Sequence, residues 1–370
     1  MEEYSAVYVG IDLGDRTSRV CVLDEGGEVV EESQVRTTPE GMRRFFGRPE
    51  TMRVALEVGT HSPWVSGLME ELGHEVWVAN PRQLPLISQS TRKNDRADAE
   101  TLARLLRADP KLLRPIQPRP QETLRELGLV RGRATLVRAR TALVNALRGT
   151  AKSAGVRLPE CSTARFARAA REAVEPLGPG AMAMLTAVGA LTEQIGACDR
   201  EVEGACERYP ETAVLRKVPG VGSVTALTYV LTVGDPKRFR SSREVGSYLG
   251  MRPKQDQSGK QDRQLRISKE GDGYLRQLLV GSAQYVLGPF GPDSDLKRWG
   301  KKLAERGGGN GKKRAVVAVA RKLSVLLHAL WKTGEVYEPL RQARARGEWV
   351  EEEVAVVVEG DPSVVEEGAV

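Results

Sequence analysis

Residues 6–35 read AVYVGIDLGDRTSRVCVLDEGGEVVEESQV, and they decide the fold class. Three runs rich in Val and other β-formers, AVYVGID, SRVCVLD and GEVVEESQV, are separated by short polar breaks, the second being DEGGE at Asp24 to Glu28. Such runs divided by turn residues predict three consecutive strands, a β-meander. Working outward, a short helix is expected near Glu40 to Phe46, and an apolar strand at Met52 to Glu57. A helix from about Pro63 to Leu72 and a strand HEVWVAN follow. Strands alternating with helices predict an α/β sheet. RKNDRADAETLARLLRAD then carries Leu102, Leu105 and Leu106 at helical spacing and stops at Pro110.

The segment from Pro110 to Pro120 holds four prolines and reads as a linker or hinge that marks a domain boundary. Beyond it, apolar residues from Leu124 to Leu147 recur at three-to-four spacing amid arginines, which predicts a long amphipathic helix from Gln121 to about Ala154. Met182 to Arg208 offers a second, so a helical hairpin or coiled coil suited to self-association is expected. After Pro210 the stretch VLRKVPGVGSVTALTYVLTVGDP predicts a Gly-punctuated turn between helices, opening a helical domain that runs to roughly Leu340. The polar stretch KQDQSGKQDRQLRI, Lys254 to Ile267, is expected to form a short β-hairpin or ordered loop. The resulting division is 1–115, 116–210, 211–345 and an acidic tail, 346–370.

Length and composition bound the function. The 370 residues suit two or three domains, and 40% hydrophobic with 28% charged residues is a globular composition. No bilayer-spanning segment is expected, and the acidic start at Glu2 and Glu3 lacks the basic opening of a secretory signal, so a cytoplasmic, nucleoid-associated protein is predicted. The formal charge is +7, but Glu348 to Val370 holds eight carboxylates and no base, which leaves +15 on the first 347 residues. A basic body suits a polyanionic partner, although arginine inflated by coding bias would also fit. Cys21, Cys161, Cys198 and Cys206 are too scattered for a disulfide framework or zinc knuckle, and with three histidines any catalytic metal is expected to be hard and oxygen-liganded.

Three constellations carry chemistry. Asp12 ends the first strand, Glu57 ends the later apolar strand, and Asp95 and Asp98 open the helix after RKN. Strand ends and helix starts gather at one rim of an α/β sheet. The i, i+3 pair of carboxylates repels unless a cation intervenes, and a Mg²⁺ pair would resolve that repulsion while serving phosphodiester chemistry. Taken singly, Asp12 is an ordinary turn residue, Asp95 an N-cap and Asp98 a solvated first-turn acid. The second is PGVG at Pro219 to Gly222, where Gly220 and Gly222 would free backbone N–H groups for a phosphate, or simply make a tight turn. The third surrounds Ser258 with Arg252, Lys254, Lys260, Arg263, Arg266, Lys269 and Arg276. By chemistry alone this is a nucleic-acid-gripping loop with an incidental serine. A serine nucleophile with cations to stabilise charge at phosphorus is the other reading.

These residues resemble the DEDD-type insertion-sequence transposases related to the Piv and MooV DNA invertases, the bridge-RNA-guided recombinases. The likeness covers most of the chain: GIDLG at Gly10 to Gly14, ALEVGTHSPW at Ala55 to Trp64, KNDRADA at Lys93 to Ala99, VPGVG, the run ending in SG at Gly259, and ISKEGDGYLRQLL from Ile267. It implies a RuvC-like, RNase H-fold N-terminal domain, a helical coiled-coil arm, and a mainly α transposase domain with a helix-hairpin-helix-like turn. The family's four metal-binding acids fall on Asp12, Glu57, Asp95 and Asp98, holding Mg²⁺ or Mn²⁺, and its nucleophilic serine falls on Ser258, which reverses the reading from chemistry alone. The resemblance further implies cutting and rejoining of DNA at insertion-sequence ends and target, a structured guide RNA pairing with donor and target, and a tetramer built as two dimers. The competing readings are a RuvC-like nuclease that cuts by water attack without a covalent intermediate, an actin-like ATPase or sugar kinase suggested by GIDLG, and a non-enzymatic nucleic-acid scaffold.

Overall fold

The computed structural model describes residues 7–80, 95–117, 119–254, 257–258, 261–262, 265–306 and 308–346. Lys260, Arg263 and the acidic tail lie outside them, as do the side chains of Asp95 and Ser258. The chain divides into two compact units, residues 1–125 and 126–370.

The first unit is built on strands β1 (Val7–Asp12), β2 (Thr17–Leu23), β3 (Val29–Arg36), β4 (Met52–Glu57) and β5 (Glu75–Ala79), ordered β3-β2-β1-β4-β5. The meander β1-β2-β3 is antiparallel, while β1 pairs with β4, and β4 with β5, in parallel. This mixed order is compatible with the expected RNase H-like fold. The Asp24–Gly27 turn closes as DEGGE predicts, with the Gly27 N–H donating to Asp24 O at 3.1 Å and the Glu28 N–H to the Asp24 carboxylate at 2.8 Å.

Side chains of a strand alternate between faces. Val9, Ile11, Val54 and Leu56 point into a core closed by α1 (Pro39–Phe46) and α2 (Ser62–Glu71), with Met42, Phe46, Val65 and Met69 fully buried there. His74 ties that layer together, its Nε2–H donating to Phe46 O at 2.8 Å while Nδ1 accepts the Met52 N–H at 3.2 Å. The opposite face, from Tyr8, Gly10, Cys21 and Ala55, is covered by α3 (Asp95–Ala108) through Ala99, Leu102, Ala103 and Leu106. A Cβ on Gly10 would lie 1.9 Å from Ala99 O and 2.6 Å from Ala103 N, so strand and helix meet backbone to backbone, which only glycine permits.

The Pro-rich segment, expected as a linker or hinge, is packed against the sheet unit. Leu113 is fully buried with Leu102 and Leu106, and the Ile116 N–H donates to Val78 O at 2.9 Å, so residues 110–116 extend the edge of β5. Proline tolerates an edge, where its missing donor faces outward. The division at residues 125 and 126 therefore falls inside the next helix rather than at 115.

The second unit opens with α4 (Gln121–Ser153), short helices α5 (Thr163–Ala169) and α6 (Arg171–Val174), and α7 (Pro179–Arg208). Ion pairs Glu126–Arg208 and Arg133–Asp199 and the Arg140–Thr192 hydrogen bond run in opposite senses along α4 and α7, which defines an antiparallel hairpin. Phe166, Val174, Leu147 and Val188 close its tip. The hairpin is not a separate body: Leu127, Val130, Val202 and Ala205 share a core with Leu227 and Leu231 of the helical domain, which places it within the second unit rather than in a domain of its own. By length and apolar composition α7 alone among the described helices is fit to cross a membrane, against the expectation of none. Its pairing of Asp199 with Arg133 suits a hairpin in water.

The remaining helices are α8 (Glu211–Leu215), α9 (Ser223–Val233), α10 (Ser242–Tyr248), α11 (Gly273–Leu287), α12 (Asp295–Arg306), α13 (Gly311–Thr333) and α14 (Arg341–Ala345). They pack around Val319, Leu323 and Leu327 of α13, with the buried Tyr229 hydroxyl donating to Ser324 O at 2.6 Å. The predicted hairpin between α10 and α11 forms, as β6 (Gln257–Ser258) against β7 (Gln261–Asp262).

Candidate active site

The acidic rim follows from strand register. Ile11 pairs with Leu56, so Asp12 and Glu57 are the next residues on neighbouring parallel strands. By alternation both fall on the face of Gly10 and Ala55, the face that α3 covers. The direction of α3 is set by its contacts. Its C-terminal Arg104 and Arg107 donate to Gly27 O, Glu25 O and Gly26 O at the β2–β3 turn, beside the start of β1. Its N-terminus, with Asp95 and Asp98, therefore points toward the rim where β1 and β4 end. Asp12, Glu57 and Asp98 are each half-buried there.

Two loops frame this rim. His61 Nε2 lies 3.5 Å from Asp15 Oδ1 and its Nδ1 accepts the Trp64 Nε1–H at 3.1 Å, which joins the segments that follow β1 and β4. The sequence alone gave His61 no role. The donor set is all carboxylate, the hard-oxygen chemistry that Mg²⁺ and Mn²⁺ take. Among the described residues, however, no three carboxylate, His or Cys side chains gather closely enough to hold an ion, and Asp95's side chain is not among them.

The PGVG turn has a structural explanation. Gly220 adopts φ +82°, and a Cβ there would meet Ser282 O and Tyr285 at 3.0 Å. Gly222 starts α9, whose N-terminus faces a cleft lined by Asp199, Glu203 and Glu207 with Arg200. Ser223 Oγ donates to Glu203, so the anion at this helix start is the protein's own and a phosphate would meet its repulsion. Phosphate binding expected of Gly220 and Gly222 is not what this geometry favours.

Around the serine hairpin, Arg252, Lys254, Arg266 and Lys269 are all exposed. Backbone bonds from Lys254 N to Arg266 O at 3.0 Å and from Ser268 N to Arg252 O at 2.9 Å hold the two legs together. Arg276 has a different task from the cationic one expected: its Nη1 donates to Leu249 O, Glu270 O and Gly271 O and fixes the loop.

A cleft of about 430 Å³ in the same unit escaped sequence reading; Arg131, Thr135, Arg138, Asp272, Tyr274 and Gln277 line it. Asp272 caps α11 by accepting the Leu275 N–H at 2.8 Å and pairs with Arg131 at 2.9 Å. Burial opposes ionisation of Asp272, but those two donors outweigh it and hold the carboxyl below the usual range. The sequence signal was the Asp-Gly ahead of the apolar run YLRQLL, an N-cap signature.

Residues 9–154 match the DEDD family model of the IS110 type, described as a transposase, and residues 212–295 match the model described as transposase of the IS116/IS110/IS902 family. Together these span more than half of the chain. Among curated relatives, the transposase for insertion sequence element IS1111A of Coxiella burnetii is 29% identical over 342 residues, 89% of this chain and 90% of that protein. A probable family 20 transposase of Pseudomonas aeruginosa is 28% identical over 346 residues, 90% and 98% of the two chains. A pilin gene-inverting protein of Moraxella lacunata is 29% identical over 119 residues, 32% and 36% of the two. The acidic sheet unit and the basic helical unit are thus those of a transposase, an enzyme that cuts and joins DNA. The chain belongs to the IS110 family of DEDD transposases.

Proposed function

We propose that the chain exchanges DNA strands between insertion-sequence ends and target under the direction of a structured guide RNA, with a carboxylate metal site and a serine nucleophile. Asp12, Glu57, Asp95 and Asp98 would hold Mg²⁺ or Mn²⁺, which when bound supplies charge stabilisation at the attacked phosphate. Ser258 Oγ attacks phosphorus; the Oγ–P bond forms as the bond to one sugar oxygen breaks, and the serine proton leaves so that the departing strand ends in a hydroxyl. The resulting phosphodiester between protein and DNA conserves bond energy, and attack by the hydroxyl of the exchanged strand reverses the step and frees the serine. Arg252, Lys254, Lys260, Arg263, Arg266 and Lys269 would grip phosphates around it. Action as a tetramer of two dimers, with the RNA held by the N-terminal unit and the hairpin, completes the reading.

The single observation that carries this reading is the register of β1 with β4, which sets Asp12 beside Glu57 on the face and at the rim toward which the acid-bearing start of α3 points. The test is covalent trapping. Labelled insertion-end DNA is incubated with the chain, its guide transcript and Mg²⁺, denatured and run on a denaturing gel. A protein–DNA adduct lost in Ser258→Ala, and lost or strongly reduced in Asp12→Asn and Glu57→Gln, is expected. Cleavage without an adduct, unaffected by Ser258→Ala, would replace this reading by hydrolysis of the RuvC type.

A further inference from the structure

The helical unit carries a cationic ridge that neither family match reaches, since the later one ends at residue 295. It spans the corner between α12 and α13, where Lys301, Lys302, Arg306, Lys312, Lys313 and Arg314 are all exposed. From residue 296 to 334 the only acid is Glu305. Two earlier bases are used within the fold: Lys297 Nζ donates to Gly288 O at 3.1 Å and to Gly291 O, and Arg298 pairs with Asp293. By contrast Lys301, Lys302, Arg306, Lys312 and Lys313 pair with no carboxylate among the described residues.

Helix electrostatics make the arrangement unfavourable for folding alone. The N-terminus of a helix bears partial positive charge, and Lys312, Lys313 and Arg314 stand in the first turn of a 23-residue helix that contains no acid. Asn310, which precedes it, makes no side-chain cap. The backbone beneath is firmly held, because Leu296, Ala315 and Val319 are buried. A fixed row of cations presented against the helix dipole, in which Lys301, Lys302, Arg306, Lys312 and Lys313 meet no carboxylate among the described residues, is suited to an anion with many charges.

We infer that this ridge binds the phosphate backbone of duplex DNA without reading its sequence. Four of the six exposed bases are lysines, point charges suited to phosphates rather than to bidentate recognition of base edges. Single strands are gripped by stacking on aromatic rings, and the one ring on α12, Trp299, is already covered by Lys322 at 4.5 Å. A surface of charge alone fits a duplex, the substrate form on which a transposase works. The inference rests on membership of the family and not on Ser258 or the acidic rim.

The test measures binding of the full chain to a fluorescent DNA duplex without divalent metal, by anisotropy over a range of KCl concentrations. Each phosphate contact contributes about 0.9 to the slope of log affinity against log salt, so Lys312→Ala/Lys313→Ala and Lys301→Ala/Lys302→Ala should each flatten the slope by nearly two and weaken binding roughly five- to tenfold. Lys332→Ala/Arg346→Ala, which removes the same charge toward the opposite end of the α12–α13 pair, where Gln342 N–H donates to Asp295, should leave the slope unchanged. Parallel titrations use a single strand and a folded RNA. Slopes equal to the unmodified chain, no duplex binding by that chain, or a loss confined to RNA or single strand would overturn the inference. The covalent-adduct assay reports on the serine and the acids separately.

Discussion

Replacing Gly10 by alanine adds one methyl group at the point where α3 crosses β1. That Cβ would stand 1.9 Å from Ala99 O, 2.6 Å from Ala103 N and 3.0 Å from Ala99 C, all backbone atoms that no rotamer change can move. Restoring ordinary contact near 3.5 Å requires the helix to retreat by roughly 1.5 Å. Overpacking of this kind destabilises by about 1–3 kcal/mol. The same retreat carries Asp98, one residue before Ala99, away from the rim of Asp12 and Glu57. A displacement of about 1 Å at a reacting centre costs on the order of 100-fold in rate. The assay counts recombined junctions between donor and target plasmids by quantitative PCR, beside thermal unfolding of the same preparations. Gly67→Ala is the control: it lies exposed in α2 with nothing within 4 Å of its added Cβ, so it should keep full activity and gain about 0.5–1 kcal/mol. A folded Gly10→Ala protein with activity within about twofold of the parent would refute the reasoning that α3 sets the acidic geometry.

The remaining predictions concern the helical unit. Burial, helped by nearby Lys332, lowers the pKa of His328 below its ordinary value, against the hydrogen bond to Pro236 O at 3.0 Å. The unfolded chain therefore takes up the proton first, and stability is present above the ordinary value of 6.5 and lost as pH falls through the lower folded value. Melting temperature should drop between neutral and mildly acidic pH, and the drop should shrink in His328→Gln; equal pH dependence in both proteins would count against the buried neutral imidazole. Gly220→Ala should cost about 1–2 kcal/mol because a side chain must enter the left-handed region. Its salt dependence of DNA binding should match the parent, since the turn is structural; a reduced slope would restore PGVG as a phosphate site.

Much of the sheet unit was legible because alternation and turn chemistry act locally. VYVGID, TSRVCVL and MRVALE declare their strands, and Leu102, Leu105 and Leu106 declare the helix that covers them. Strand ends and a helix start at one rim could be expected from the order of elements, yet the close approach of β1 to α3, Gly10 against Ala99 and Ala103, depends on contacts about 90 residues apart that no local pattern encodes. PGVG left two readings open because a glycine turn looks the same whether the anion it faces is a phosphate or Glu203 from a helix before it. The prolines suggested a linker or hinge, while Leu113 and Ile116 between them added to the sheet edge. Arg276 looked like one cation among seven; its service to three carbonyls depends on the path of the loop.

The four thiols are unequal. Burial pushes the Cys21 thiol up to about 11 and raises that of Cys206 as well, whereas Cys161 and Cys198 are only half-buried. Cys161 sits between α4 and α5 and Cys198 lies on α7. The native chain thus offers two attachment points for fluorophores or spin labels, both on the helical hairpin. Interprobe distances recorded there would report on how that element responds to nucleic acid without any engineered cysteine.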